Sequence, residues 1–230
     1  RPSTSSQNLM RDIDLSPLEA PYKPQKSSGR TRTRSEEKRA QIMEAAADLF
    51  TEQGFDSTSM DKIAERAGVS KQTVYSHFGS KEGVFVASIE AKCILNSLSS
   101  EFFQQQEPTA HMLLELARHF NELLLSDEAT RIIRLCFSSA ESHPDVSELF
   151  YSAGFENLHH LLSDFLAQRA ASGELDIPNT DAAANQFLFM INSDEAFRAH
   201  LGLKPKLSQQ EQDDYLKSTV RFFLKGYSNQ

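Results

Sequence analysis

Cysteine is scarce: the chain holds two, Cys93 and Cys136. Two thiols make no disulfide scaffold, and both sit in apolar stretches of helical character. They read as reduced core residues of a cytoplasmic protein. Long apolar runs are missing too. The longest, from Phe120 to Leu125, is broken by Asn121 and Glu122, and none approaches the roughly 20 apolar residues that a membrane span needs. No positively charged start followed by an apolar stretch marks a secretory signal. The chain opens on Arg rather than Met, and Met10 is an alternative start. There is no alternating strand pattern, no internal repeat and no Gly-rich phosphate loop. No nucleophile–base set or pair of carboxylates converges in a motif, so an enzyme with a helical core finds no support. His159 and His160 are adjacent and point to different sides of a helix, so they cannot chelate as an i, i+4 pair. Neither a metal site nor a cofactor is indicated.

What is present begins with charge. The net charge of −8 argues by itself against nucleic acid. Its distribution reverses that reading. From Lys23 to Arg39 there are seven Lys/Arg against two Asp/Glu, whereas from Gly83 onward there are 11 against 20. A basic arm on an acidic body suits a protein that offers one face to phosphates, although a solvated charge run without a partner would look the same.

Apolar spacing divides the chain into an arm over residues 1–34, a small helical module over 35–82 and a larger helical part over 83–230. The arm is rich in Ser, Pro, Lys and Arg and is expected to be flexible. Ile42, Ala46, Leu49 and Phe50 mark the first helix, which Gly54 ends. Thr58 or Ser59 caps the next, with Thr58 and Asp61 at capping-box spacing. Further helices are expected from Lys81 to before Pro108, and over 109–125, 128–140, 144–171 and 181–199. A last one opens on Ser208 and Glu211. The fold class is all-α, with about nine helices.

Residues Met60 to Phe78 carry the most information. Two short helices flank the turn Ala67-Gly68-Val69-Ser70. A helix-turn-helix needs a small residue where helices touch, a permissive turn and an abrupt cap. The second helix of such a motif enters the major groove. Here it would present Lys71, Gln72, Thr73 and Ser76 to base edges, with Tyr75 and His77 nearer the phosphates. Lys81, Ser70, Thr58 and Ser59 sit at helix starts, where backbone N–H groups favour a phosphate. Each alone has a plainer reading as a cap or a solvated side chain. Together they form a surface without any acid from Ser70 to Ser80, in a chain with 32 acidic residues.

The run from Ile42 to Gly54, then Ser57 to Glu82, resembles the DNA-binding domain of the TetR family. The turn Ala67-Gly68-Val69-Ser70, the pattern Thr73-Val74-Tyr75-Ser76-His77-Phe78 and the following Lys81 carry the likeness. The resemblance implies a homodimer on a palindromic double-stranded operator, usually a repressor. It implies base contacts near Lys71, Gln72, Thr73 and Ser76, and phosphate contacts from Thr58, Tyr75, His77 and Lys81. A basic arm carrying Arg30, Arg32 and Arg34 could then reach the minor groove. Farther along, Arg134 to Glu141, His143-Pro144-Asp145, Leu149 to Gly154, Gly173-Glu174-Leu175 and Asp181-Ala182-Ala183 resemble the AefR-like subgroup.

The larger part is then expected to sense a small molecule and to dimerise. Phe102, Phe103, Met112, Phe120, Phe137, Phe155 and Phe187 are candidates to line an apolar effector site, with His111, His119, Asn157 and Asn192 as polar handles. Each could equally be core or surface. Phe187, Ile191, Tyr215, Thr219, Phe223 and Tyr227 are candidates for the dimer interface, although a stripe at helical spacing also reads as intrachain core. A DNA-binding regulator without an effector is the alternative reading.

Overall fold

The computed structural model describes residues 14–19, 33–95 and 98–228, which leaves Arg30, Arg32 and the side chain of Cys93 outside the described residues. A 3-10 turn, Ser16–Glu19, precedes α1 (Arg34–Ser57), α2 (Met60–Ala67), α3 (Lys71–Phe78), α4 (Lys81–Leu95) and α5 (Ser100–Phe103). There follow α6 (Thr109–Leu125), α7 (Asp127–Ser139), α8 (Pro144–Tyr151), a π-helical segment (Ser152–Glu156) and α9 (Asn157–Ala171). The chain finishes with α10 (Thr180–Ile191), α11 (Asp194–His200) and α12 (Gln209–Gly226). No strand occurs among the described residues, as an all-α class requires.

Local chemistry explains most boundaries. Thr33 caps α1 in a reciprocal box: its hydroxyl accepts the Glu36 N–H at 3.2 Å, and Glu36 Oε2 accepts the Thr33 N–H at 2.6 Å. Arg34 is therefore the first residue of α1 rather than the end of an arm. Gly54, at φ 86° and ψ 169°, breaks α1 where expected. Ser208 and Glu211 form the second capping box, at the start of α12. Pro144 opens α8, and α8, the π segment and α9 follow without a gap to Ala171, so the stretch expected as one helix is continuous. Two expected helices are each split. The one from Lys81 is interrupted before Ser100: Leu98 is non-helical and Ser99 is extended, at φ −121° and ψ 169°, and serine competes with helical hydrogen bonds. The one over 181–199 breaks at Asn192 (ψ 72°) and Ser193, beyond which Asp194 and Glu195 favour a fresh N-terminus. Among the described residues there are eleven α-helices if α8 to α9 is taken as one, against about nine expected.

Within the expected arm, residues 14–19 are described. Leu18 is 1% exposed, and its turn packs on α6 together with Leu15. The apolar pair seats residues 14–19 there.

Two apolar cores result. One lies within α6, α9, α10 and α12, around Leu113, Leu162, Phe187 and Val220. The other joins α1 to α4 around Ile42, Phe50, Ile63, Val74 and Phe85, and it continues into α7 and α8 through Ile132, Cys136 and Val146. Cys136 is buried, and burial pushes its thiol up to about 11, so it stays protonated. No described helix is long and apolar enough to cross a membrane.

Candidate nucleic-acid interface and ligand cavity

The helix-turn-helix is built from short-range contacts. Gly68 sits at φ 67° and ψ 33°, the left-handed region that only glycine enters without strain. Its N–H and that of Val69 turn back to the carbonyls of Glu65 and Ala64, at 3.2 and 3.0 Å, and so close α2. Ser70 then starts α3 by accepting the Thr73 N–H at 3.1 Å. Val74 is fully buried and pins α3 to the core, while Phe78 packs at its edge under the Arg39 guanidinium, 5.1 Å from the ring centre. With that face inward, Lys71, Gln72, Tyr75 and Ser76 are exposed on the opposite one, and Thr73 and His77 are half-exposed.

These side chains are unequally committed. The Lys71 ammonium meets Asp61 Oδ2 at 2.8 Å, and this partner raises its pKa. A surface pair of this kind adds little stability and yields easily to another anion. The Thr73 and Ser70 hydroxyls are 2.7 Å apart, and Ser76 donates to the Thr73 carbonyl at 2.9 Å. Lys81 is half-buried: its ammonium donates to the Phe55 carbonyl at 2.8 Å and stands 4.2 Å over the Phe55 ring. Ser59, not Thr58, caps α2, accepting the Lys62 N–H at 3.3 Å. Thr58 is 1% exposed and donates to the Gly54 carbonyl at 2.8 Å, so it holds the α1–α2 corner instead of facing a phosphate. Adjacent hydroxyls at a helix start look alike in sequence, and only the backbone direction separates them.

Gly83 is a residue that the motif pattern did not flag. Any Cβ placed there would run into the Phe78 carbonyl, at the end of α3. Gly83→Ala is expected to push α3 away from α4, to cost about 1–3 kcal/mol as overpacking does, and to weaken duplex binding. Denaturation and fluorescence-anisotropy titrations measure the two effects; an unchanged α3 would leave both at wild-type values.

Behind the motif, the larger part encloses a cavity of about 720 Å³, within the range of small-molecule sites. Ile89 and Leu98 form its floor. Phe120 and Leu124 come from α6, and Ile132, Ile133, Cys136 and Phe137 from α7. Phe150, Gly154, Phe155 and Leu158 come from the long α8–α9 helix, and Phe189, Asn192, Phe197 and His200 from α10 and α11. The π segment lies across α4, where a Cβ on Gly154 would stand 3.6 Å from Ile89. Such a bulge is often found at functional sites.

Of the seven expected effector residues, Phe120, Phe137 and Phe155 line this cavity. Phe102, Met112 and Phe187 do not. They fill the α6–α9–α10–α12 core, and Phe103 packs against it. Among the polar handles, Asn192 reaches the cavity, while His111, His119 and Asn157 do not line it. His119 is 8% exposed and burial lowers its pKa. Four of the six expected interface residues, Phe187, Ile191, Thr219 and Phe223, are likewise sealed inside the chain, at 7% exposure or less. The apolar stripe at helical spacing marks the face that the chain itself covers. The outward face of α10 and α12 carries Phe189 and Phe222, at 58% and 71% exposure. With Met190 and Tyr227 they line a shallow groove. The Tyr227 hydroxyl donates to Gln186 Oε1, and Tyr215, outside the groove, donates to the Met190 carbonyl.

Residues 42–87 match the bacterial regulatory proteins of the tetR family, and residues 111–229 match the AefR-like transcriptional repressor C-terminal domain. The HTH-type transcriptional regulator YvkB of Bacillus subtilis is 28% identical over 189 residues, 81% of this chain and 95% of that protein. The negative regulator of the icaADBC biofilm operon of Staphylococcus aureus, IcaR, is 25% identical over 187 residues, 80% of this chain and 97% of its own. Among solved structures, the flavonoid-responsive regulator FrrA superposes with a TM-score of 0.68 at 30% identity, covering 84% of this chain and 98% of FrrA. A helix-turn-helix on a helical body, matched along both parts by these relatives, places the chain in the TetR family of DNA-binding transcriptional regulators, with a C-terminal domain of the AefR-like type.

Proposed function

We propose that this protein is a homodimeric repressor that binds a palindromic operator and leaves it when a small apolar effector enters the cavity. One observation supports this most directly. Ile89, Ile132 and Cys136 belong to the core of the DNA-binding part and also line the cavity. A molecule in the cavity therefore touches the side chains against which α1 to α4 are packed. Interiors are close-packed and transmit such pressure. The flavonoid response of FrrA and the negative regulation by IcaR agree with this reading.

In the dimer, two α3 helices must lie about 34–36 Å apart to enter successive major grooves. Displacing α4 at Ile89 changes that spacing, since only Gly79 and Ser80 separate α3 from α4, with Lys81 bound to Phe55. To switch occupancy from nearly full to nearly empty, the effector must prefer the released form by about 10⁴-fold. The outward groove of α10 and α12, with Phe189 and Phe222, is the self-association face: two large exposed phenyl rings on neighbouring helices are best covered by their symmetry mates.

Gln72 and Thr73 are the assigned readers, with Lys71 and Ser76 beside them; Tyr75, His77, Ser59 and Lys81 lie nearer the backbone of the duplex. Selection of bound sequences from random DNA is expected to return a palindrome. Gln72→Ala with Thr73→Ala is expected to lower selectivity by about 1–3 kcal/mol per affected base pair, while binding to random duplex at low salt stays. Selectivity equal to wild type in the double variant would remove these residues from the reading face. A purified chain that ignores duplex DNA at low ionic strength would remove the function altogether.

A further inference from the structure

We infer that the effector of this cavity is an uncharged aromatic molecule bearing a hydroxyl group, held by Asn192 and His200 at the α10–α11 corner. The inference rests on the effector reading above and narrows it by charge and shape. Among the described residues that line the cavity there is no lysine or arginine. Arg134, next to the lining residue Ile133, is engaged with the backbone: its Nε donates to the His200 carbonyl at 2.8 Å and its Nη2 to the Ala199 carbonyl at 2.5 Å. A carboxylate or phosphate set against these side chains would lose its hydration without gaining a counter-ion from them.

The polar groups suit a hydroxyl instead. His200 lines the cavity, and its Nε2 is buried without a hydrogen-bond partner. Burial and, after it, the positive charge of Arg134 lower its pKa, so the imidazole is neutral at pH 7 and supplies no cation. A neutral ring nitrogen either donates or accepts, according to tautomer. A hydroxyl answers both cases, once the ring edge turns toward the cavity. The Asn192 amide, at the C-cap of α10, adds a donor and an acceptor in the same wall. Ring-shaped ligands fit the rest. Tyr151 and Phe155 are stacked at 5.6 Å, and Phe155 leans on Phe189 at 5.4 Å, leaving flat faces and edges for another ring.

The test uses the full-length chain loaded with the neutral fluorophore N-phenyl-1-naphthylamine and three displacers of one skeleton: 4-phenylphenol, biphenyl and biphenyl-4-carboxylate. 4-Phenylphenol is expected to displace at roughly 3–10-fold lower concentration than biphenyl, the worth of one hydrogen bond, and the carboxylate is expected to be the weakest. Asn192→Ala with His200→Leu should erase the advantage of the phenol over biphenyl, while His200→Gln should keep most of it. Phe137→Lys, a change at a wall position that is 72% exposed and tolerant of charge, should raise the affinity for the carboxylate several-fold. A phenol no better than biphenyl, a carboxylate that displaces best, or an unchanged ratio in the folded double variant would each overturn the inference and leave the effector reading standing. A fluorophore that never enters the native chain would overturn both.

Discussion

Arg118→Ala is expected to be among the most destabilising single changes in this chain, at about 3–5 kcal/mol, the usual cost of stranding buried charges. Arg118 on α6 is 6% exposed, and its Nε meets Asp213 Oδ1 of α12 at 2.7 Å while its Nη1 meets Glu115 Oε1 at 2.8 Å. Lys217 closes the set on Asp213 Oδ2 at 2.8 Å. Alanine would leave two mostly buried carboxylates with one ammonium between them. The acid limb of stability should change with it. Burial pushes the Asp213 carboxyl up, but the hydrogen bonds from Arg118 and Lys217 outweigh it and hold the group below its ordinary value of 3.8. A depressed carboxylate stabilises the folded chain above the unfolded value and loses that contribution as pH falls through the folded one. Wild type should therefore weaken below about pH 4, and Arg118→Ala should show a shallower loss there. Urea denaturation across pH 3 to 7 measures both. A stability loss under about 1 kcal/mol would mean that the network behaves like surface ion pairs.

Phe85→Ala is expected to cost a similar amount, about 3–5 kcal/mol, but to fall on the DNA-binding part. The Phe85 ring, 1% exposed, presents its edge to Phe50 at 5.4 Å and to Phe55 at 5.6 Å, and those two rings stack at 5.3 Å. Phe55 also carries the Lys81 ammonium on its face. Removing Phe85 opens a void where α1, the α1–α2 corner and α4 meet. Operator binding should fail at temperatures where fluorophore binding persists, because Phe85 does not line the cavity. Calorimetry would show the lower part of the transition moving while the α6–α12 core melts late. If both activities disappeared together at one temperature, the two parts would be melting as a single unit.

The helix-turn-helix was readable from sequence because every device in it is short-range. Gly68 in its left-handed turn, Ser70 accepting from Thr73, and Ser80 accepting the Gly83 N–H at 3.0 Å are decided within four residues. The long helix through the π segment was readable for the same reason, since its apolar spacing never lapses. The cavity was not. An aromatic residue at helical spacing must face inward, but spacing does not tell whether the space it faces is filled. Phe187 meets the Phe223 ring at 4.8 Å, while Phe137 on the edge of the cavity is mostly exposed. The outward groove of α10 and α12 is hidden in the sequence because its two principal residues, Phe189 and Phe222, fall on the polar side of the pattern, beside buried neighbours that dominate it. Leu18 shows the converse: composition marks a tail, but Leu15 and Leu18 seat the turn Ser16–Glu19 against α6.

The reading head has no interior wholly its own. Ile132, Cys136 and Val146 complete it from α7 and α8, and His143 at the start of α8 pairs with Asp56 at 2.5 Å across the same seam. A fragment ending after α3 would lose Phe85 and these three side chains at once, and it would expose the faces of Phe50 and Ile63 to water. Grafting this head onto a foreign sensor would therefore have to carry the matching stretch of α4, α7 and α8 with it. The border that separates the two tasks along the chain is not a seam along which the protein can be cut.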